Sequence, residues 1–387
     1  MSQVNQYLDS LKSVVAEIEV REVIDELSKG AVLIDIREID EVKSGLPSQA
    51  MHITKGMLEM KIGNIVPDIN SSIFLMCQSG KRSLLAAKNL IDIGYTNVKS
   101  VEGGFAKWKN SGFPFEIPHF LSEDARQRYM RNMLIPEIGE KGQAKLLKSS
   151  VLVVGAGGIG SSLLFYLAAA GVGNIGIIDS DVVDRTNLQR QIIHTDAAVG
   201  SSKVESAKSR LLELNPTIKI NAYNERLNSE NIEEIITEYD ILIDGTDNFT
   251  TRYLINDACV KFKKPNIHGS VFLFEGQFTT YWPAYNHSAP CYRCLFPSPP
   301  PKELAPNCAE AGVMGVLPGL IGLLCATEAI NIILGFDNMT SKLMVVNSKP
   351  ISFSQLNIKK DPNCLYCNCT DQSKYPPYID YETFCSM

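Results

Sequence analysis

The chemistry in this chain gathers first around Gly155-Ala-Gly157-Gly158-Ile-Gly160, which follows the apolar run Val151 to Val154. A strand feeding a glycine turn that opens a helix leaves backbone N–H groups and the positive helix end facing outward, which makes an anion site. Glycine is needed there because a β-carbon would hold the backbone away from phosphate. Asp179 closes a second apolar run nineteen residues after Gly160, about where an acidic side chain meets a ribose hydroxyl in such folds. These features alone specify only a nucleotide. Asn187, Arg190, Gln191 and Lys203 narrow the reading, because they bring two full positive charges to a site that already favours anions. A dinucleotide dehydrogenase has little use for them. A triphosphate under attack shifts charge onto the departing pyrophosphate, and fixed cations stabilise that charge as it develops. Tyr239 to Asp244 reads as another strand, and Asp247, just beyond it, is placed to hold magnesium, which takes one or two carboxylates together with phosphate oxygens.

Cysteines carry the second kind of chemistry. Cys291-Tyr-Arg-Cys294 and Cys364-Leu-Tyr-Cys367 are both C-x-x-C knuckles. One such pair reads equally as a redox couple, but two complete a tetrahedral zinc shell, and four thiolates leave no open position, so the metal is structural. Cys369 lies beside the second knuckle as a bystander or a competing ligand. Cys77 ends an apolar run and is followed by Gln-Ser-Gly-Lys81-Arg82-Ser83, a loop curling onto a helix start. Loop N–H groups, the helix dipole, Lys81 and Arg82 all favour a negative sulfur there. The plainer reading is a structural cysteine at a strand end. Cys259 and Cys325 fall in apolar helical runs and belong to the core, while Cys385 belongs to the tail. His194 and His268 read as hydrogen-bonded structural residues rather than bases.

The elements that must position these residues form an α/β chain of two domains, since 387 residues exceed what one ordinary core supports. In the first, strand-like runs at Ala31 to Ile36, Ser72 to Cys77 and Val98 to Val101 alternate with helical stretches, which predicts a small parallel sheet. Gly112-Phe-Pro-Phe-Glu-Ile-Pro118 reads as a linker, giving domains of 1–117 and 118–387. The net charge of −6 argues against nucleic acid or an anionic membrane as a partner. The opening residues are polar and mixed in charge, so no leader is expected. The longest uncharged apolar run, Ala311 to Thr327, holds Pro318 and falls short of the ~20 residues of a bilayer span, so a buried core helix is expected. Ten cysteines in a chain of this size fit a cytoplasmic protein with reduced thiols.

GAGGIG, NLQRQ, DGTDNFTTRYLINDACV, FEGQF, CYRCLFPSPPP and CAEAGVMGVLPG together resemble the sulfur-carrier-protein adenylyltransferases, the ubiquitin-activating-like enzymes of molybdopterin-synthase and thiamine sulfur-carrier activation. The resemblance covers roughly residues 120–370 and implies a Rossmann-like, doubly wound adenylating domain with structural zinc. It implies ATP as cofactor, with magnesium, and as partner a ubiquitin-like sulfur carrier protein ending in Gly-Gly. The carrier's terminal carboxylate would become an acyl-adenylate and then a thiocarboxylate. By motif, Arg131 in RYMRN, Arg190 and Lys203 handle phosphates, Asp179 the ribose and Asp247 the metal. The resemblance further implies a homodimer in which Arg131 reaches the partner subunit's ATP. Cys308, after the Pro-rich stretch Phe296 to Pro301, matches a crossover-loop cysteine that joins the carrier covalently in some relatives and is dispensable in others.

Asp35-Ile-Arg37, Glu41, Cys77-Gln-Ser-Gly-Lys-Arg82-Ser83 and Val101-Glu-Gly103-Gly104-Phe-Ala-Lys-Trp108 resemble the rhodanese sulfurtransferase domain. Leu46-Pro-Ser-Gln-Ala50 departs from the His-Ile-Pro-Gly-Ala-like run common there, away from the reactive loop. The implied enzyme is a fusion in which a persulfide on Cys77, loaded by a donor such as a cysteine desulfurase or thiosulfate, supplies the sulfur. The alternatives are a binding or regulatory module whose rhodanese domain transfers no sulfur, and a nicotinamide oxidoreductase resting on the glycine turn alone. Molybdopterin, thiamine, tRNA thiolation, cysteine and specialised-metabolite pathways all remain open.

Overall fold

The computed structural model describes residues 3–116, 121–300, 312–369 and 374–386. It divides into two compact units, Met1–Phe120 and Leu121–Met387.

In the first unit, strands β1 (Ala16–Ile18), β2 (Val32–Asp35), β4 (Met51–His52), β5 (Ile73–Met76) and β6 (Val98–Val101) make a sheet in the order β1-β6-β5-β2-β4. Every pairing in it is parallel. Helices α1 (Gln3–Leu11), α2 (Val20–Leu27), α3 (Ile39–Val42), α4 (Leu58–Ile65), α5 (Lys81–Asp92) and α6 (Gly104–Asn110) connect the strands. Separate apolar clusters form on the two faces, Ile34 and Leu75 in one, Leu33 and Phe74 in the other. A sheet covered on both faces needs strands that are apolar throughout, which is why β5 reads Ile-Phe-Leu-Met without alternation. Cys77 leaves the carboxyl end of this central strand. A short antiparallel pair, β3 (Leu46–Pro47) with β7 (Phe115–Glu116), lies outside the main sheet.

The second unit carries an eight-stranded sheet in the order β10-β9-β8-β11-β12-β13-β14-β15. Its strands are β8 (Ser150–Val154), β9 (Asn174–Ile178), β10 (Lys219–Tyr223), β11 (Ile241–Asp244), β12 (Asn266–Phe272), β13 (Glu275–Tyr281), β14 (Lys342–Ser348) and β15 (Ile351–Asn357). The first five in that order run parallel and the remaining pairings are antiparallel. Chain order moves outward from β8 to β9 and β10, then returns to the other side of β8 at β11. That reversal opens a crevice at the carboxyl ends of β8 and β11, where ligands bind in such sheets.

Helices α7 (Glu123–Met133), α8 (Gly139–Lys148), α9 (Gly158–Ala170), α10 (Lys203–Leu214), α11 (Ile232–Thr237), α12 (Phe249–Lys261), α13 (Tyr292–Leu295), α14 (Val316–Leu334) and α15 (Tyr381–Phe384) complete the unit. The expected core helix is α14. It begins at Val316 and runs past Glu328, because that buried carboxylate accepts hydrogen bonds from Thr280 Oγ1 (2.5 Å) and the Met339 N–H (2.6 Å). The helix is long and apolar enough to cross a membrane, yet it packs on α9, β12 and β13. A β-carbon on Gly322 would strike the Ile159 carbonyl and Ser162 Oγ, so glycine allows the two helices to close on each other.

Candidate functional site

A cavity of about 400 Å³ lies at the carboxyl ends of β8, β9 and β11, within the usual ~300–1,000 Å³ of small-molecule sites. Gly155, Gly157 and Gly158 line it together with Asp179, Arg190, Gln191, Lys203 and Asp247. Gly155 adopts φ +97°, a conformation few other residues would accept. A β-carbon on Gly157 would meet only Gln191 Nε2 at 3.7 Å, so the space above it is open. Gly157 also caps α9 without a side-chain hydrogen bond, leaving first-turn N–H groups for an anion. The chain fits a nucleotide phosphate at this point.

Asp179 is tied to the glycine turn, its Oδ2 accepting from the Ala156 N–H (2.8 Å) and its Oδ1 from the Asp181 N–H (2.9 Å). Lys203 is nearly buried and ion-paired to Asp181 at 2.7 Å, a partner the sequence reading lacks. Gln191 is buried, and its Oε1 has no partner among the described residues. Asp247 is exposed on the cavity wall.

Three residues of the expected site do not line the cavity. A β-carbon on Gly160 would strike the Gly155 carbonyl, so this glycine packs α9 against its own turn. Asn187 lies behind Arg190, accepting from its Nη2 at 2.8 Å and orienting the guanidinium. Arg131 is exposed on α7 and is absent from the lining. Cys308 lies outside the described residues.

Arg252 lines the cavity and was not anticipated. Its Nη2 donates to the Thr246 carbonyl at 2.8 Å. The signal was present in the sequence: Asn248 caps α12, accepting from the Thr251 N–H at 2.9 Å, and a first-turn arginine after that cap turns back toward the strand end. Both histidines are structural, as expected. His194 bonds Ser206 Oγ and the Ala156 carbonyl, each at 3.0 Å, and burial pushes its pKa down. His268 holds the fully buried Asp244 at 2.8 Å.

Cys291, Cys294, Cys364 and Cys367 bring all four sulfurs within 4.8 Å of one another. Neighbouring Sγ atoms are 3.8, 3.6 and 3.4 Å apart, against an edge of roughly 3.8 Å for a tetrahedron of thiolates at ~2.3 Å from zinc. Crowded sulfur neighbours push Cys294 and Cys364 down and Cys291 and Cys367 up. Four thiolates this close repel one another, and a bound cation offsets that repulsion. The quartet fits zinc, and it closes without Cys369. Arg293, between the first two cysteines, is buried and bidentate to Asp257 at 2.7 and 2.8 Å. Tyr381 adds a hydrogen bond to the same carboxylate at 2.8 Å.

In the first unit, Cys77 is fully buried. Its Sγ accepts from the Gly80 N–H at 3.2 Å and lies 3.5 Å from Ser83 Oγ. Gly80 caps α5 in a left-handed conformation and supplies no side-chain bond, so the helix start faces the sulfur. The loop is pinned from outside, where the Phe105 and Ala106 N–H groups donate to the carbonyls of Cys77 (2.8 Å) and Gln78 (3.1 Å). Arg82 is engaged by Glu41 at 2.5 and 2.7 Å, so its charge is shared rather than given to sulfur alone. Arg37 braces the same loop: it is buried against Asp35 and reaches Gln78 Oε1 at 3.2 Å.

The ThiF family model matches residues 129–366, and the rhodanese-like domain model matches residues 19–111. Adenylyltransferase and sulfurtransferase MOCS3 of Culex quinquefasciatus is 48% identical over 270 residues, covering 69% of this chain and 60% of the relative. The sulfur carrier protein adenylyltransferase of Thermus thermophilus is 43% identical over 269 residues, covering 69% of this chain and 98% of the relative. Probable adenylyltransferase/sulfurtransferase MoeZ of Mycobacterium tuberculosis is 43% identical, with 69% and 67% covered. The chain thus spans about 60% of the length of the mosquito relatives it matches. Among solved structures, E. coli MccB with AMPCPP and MccA matches at a TM-score of 0.55 and 26% identity, covering 65% of this chain and 76% of that one.

Proposed function

Because the chain belongs to the ThiF family, whose model spans residues 129–366, we propose that it adenylates the C-terminal glycine of a ubiquitin-like sulfur carrier and passes sulfur from Cys77 to it. One observation carries the first half: the glycine turn, Arg190, Lys203 and Asp247 surround a single cavity at the switch point of the sheet. The likeness to MccB, crystallised with an ATP analogue, supports the same reading. A terminal carboxylate oxygen of the carrier attacks the α-phosphorus of ATP, an O–P bond forms, and pyrophosphate leaves with the bonding electrons. Arg190, braced by Asn187, and the N–H groups of the glycine turn stabilise that departing charge. Lys203 does so while sharing its charge with Asp181. Asp179 orients the ribose. Asp247 would hold magnesium, which supplies charge neutralisation at the phosphates.

The second half starts from a persulfide on Cys77, cradled by the Gly80 N–H and Ser83. Its outer sulfur attacks the acyl carbon and AMP leaves. A second thiol then reduces the resulting S–S bond, forming a disulfide and releasing the thiocarboxylate. Cys308 is a candidate for a separate covalent link to the carrier, a thioester formed as AMP leaves. Arg131, exposed and away from its own chain's cavity, fits a homodimer in which it serves the partner's ATP. The full burial of Cys77 favours one competing reading, a rhodanese unit that transfers no sulfur.

Carrier-dependent exchange of labelled pyrophosphate into ATP tests the first half. Asp247→Ala or Arg190→Ala should lower exchange by at least ~100-fold, the scale of removing a fixed group that stabilises transition-state charge. Cys77→Ala should leave it intact, because adenylation precedes sulfur chemistry. Normal exchange in the Asp247 variant would remove the metal assignment.

A further inference from the structure

Ser100 on β6 and Ser83 in the first turn of α5 are both fully buried. Ser100 shares a sheet face with Val98, two residues earlier, and Val98 packs in one cluster with Cys77, Leu84 and Ala87. A hydroxyl in such surroundings has to find partners inside the protein. These two find each other, their oxygens 2.8 Å apart. Ser83 Oγ also lies 2.9 Å from the Gly80 carbonyl and 3.5 Å from Cys77 Sγ, and Ser100 Oγ lies 3.4 Å from the same carbonyl. Gly80 is held close to the end of β6, since a β-carbon on it would meet the Gly103 nitrogen at 3.1 Å. The carbonyl that both hydroxyls face is therefore fixed in place.

Each hydroxyl has one proton to give and two lone pairs to fill. Ser83 has three acceptors within reach of its single proton: Ser100 Oγ, the Gly80 carbonyl and the sulfur. Once Ser100 donates to Ser83, two remain. A neutral thiol is a weak acceptor, so beside it the proton goes to the nearer Gly80 carbonyl. A charged sulfur makes the stronger, charge-assisted bond and draws the proton to itself. The Gly80 carbonyl then keeps the Leu84 N–H, at 3.3 Å, so the change leaves no buried acceptor orphaned. In both arrangements the Ser83 oxygen accepts from Ser100, and an O–H polarised in this way is the better donor.

We propose that Ser100 is a positioning residue for Cys77: by donating to Ser83 it aims the Ser83 hydroxyl at the sulfur whenever that sulfur is negatively charged. This rests on reading Cys77 as the residue that takes sulfur from a donor, for which the charged sulfur is the attacking form. The fixed charges near the loop have partners of their own. Arg82 of α5 is shared with Glu41 of α3, Arg37 is buried against Asp35 and reaches Gln78, and Lys107 of α6 pairs with Glu102 at 2.6 Å. Lys81, at the start of α5, is exposed to water. All of these stay in place when a serine is changed, so a difference between serine variants reads the hydroxyls.

The test is the pH profile of iodoacetamide alkylation on the full chain, followed at Cys77 by peptide mass spectrometry. The midpoint of the profile should lie about 1 pH unit higher in Ser83→Ala than in wild type, the scale of one charge-assisted hydrogen bond. In Ser100→Ala it should lie about 0.3 higher, the share that polarisation by a second hydroxyl adds. The double variant should match Ser83→Ala, because Ser100 acts only through Ser83. Ser100→Thr, which keeps the hydroxyl, should restore the wild-type midpoint. An unmoved midpoint in Ser100→Ala overturns the proposal, and so does a double variant that shifts by the sum of the two. A midpoint in Ser100→Thr no lower than in Ser100→Ala overturns it too, by assigning the effect to packing. Wild-type Cys77 that resists iodoacetamide at every pH fails the sulfur-transfer reading itself, since a donor needs the same access, and the proposal falls with it.

Discussion

Single side chains in this protein act mostly through the neighbours that hold them, and His194 shows how that reaches into stability. Burial lowers its pKa below the ordinary value of 6.5, so the folded chain refuses a proton that the unfolded chain accepts. Its contribution is therefore complete above about pH 6.5 and is lost as pH falls from there toward the depressed value. Urea midpoints measured from pH 7.5 down to 5.5 should fall more steeply for wild type than for His194→Gln, by up to ~1.4 kcal/mol per pH unit. Parallel profiles would show that His194 takes up protons equally in the folded and unfolded states. The cysteine quartet was fully legible in the sequence, because two turns of fixed spacing leave little freedom about where four thiolates meet. The Lys203–Asp181 pair and Arg252 were not, since pairing of charges depends on which strand ends the sheet order brings together.

Among the elements, the turn from β5 into α5 is built as much by α6 as by itself. Gly104 has φ +59°, and a β-carbon there would strike the Cys77 carbonyl and press on the Gly80 N–H. Gly104→Ala should therefore abolish sulfur transfer while leaving carrier adenylation unchanged, because Cys77 and the nucleotide cavity, to which the two activities are proposed to belong, lie in separate units. Assays of both reactions on one preparation check it, and retained sulfur transfer would mean that the loop tolerates a shift of its outer wall. The glycines of both loops stood out in the sequence, as did the parallel runs of Ile73 to Met76 and Val151 to Val154. The length of α14 did not. Glu328 looks like a stop to an apolar run, and only the Thr280 and Met339 donors from another layer let the helix continue to Leu334.

At the scale of the whole molecule, the proposed reaction needs two units, two copies and two metals to act together. If Arg131 serves the partner's cavity, mixing Arg131→Ala with Asp247→Ala chains should restore roughly a quarter of the exchange activity, through hybrids with one intact site. No recovery, with subunit exchange demonstrated, would assign Arg131 to its own chain. The sequence suggests a boundary within Gly112 to Pro118 and the compact units divide at Phe120, whereas a homodimer, as proposed, would leave no mark in one chain beyond an arginine that its own cavity does not use. In the proposed reaction both units work on the same carrier molecule. The most direct test is the intact mass of a carrier ending in Gly-Gly after incubation with ATP, magnesium, the full chain and a persulfide donor. Wild type should give one sulfur in place of one oxygen, and Cys77→Ala a terminus without sulfur, either adenylated or returned to the carboxylate. A carrier that is adenylated but never gains sulfur, with Cys77 shown to carry a persulfide, would contradict that reaction.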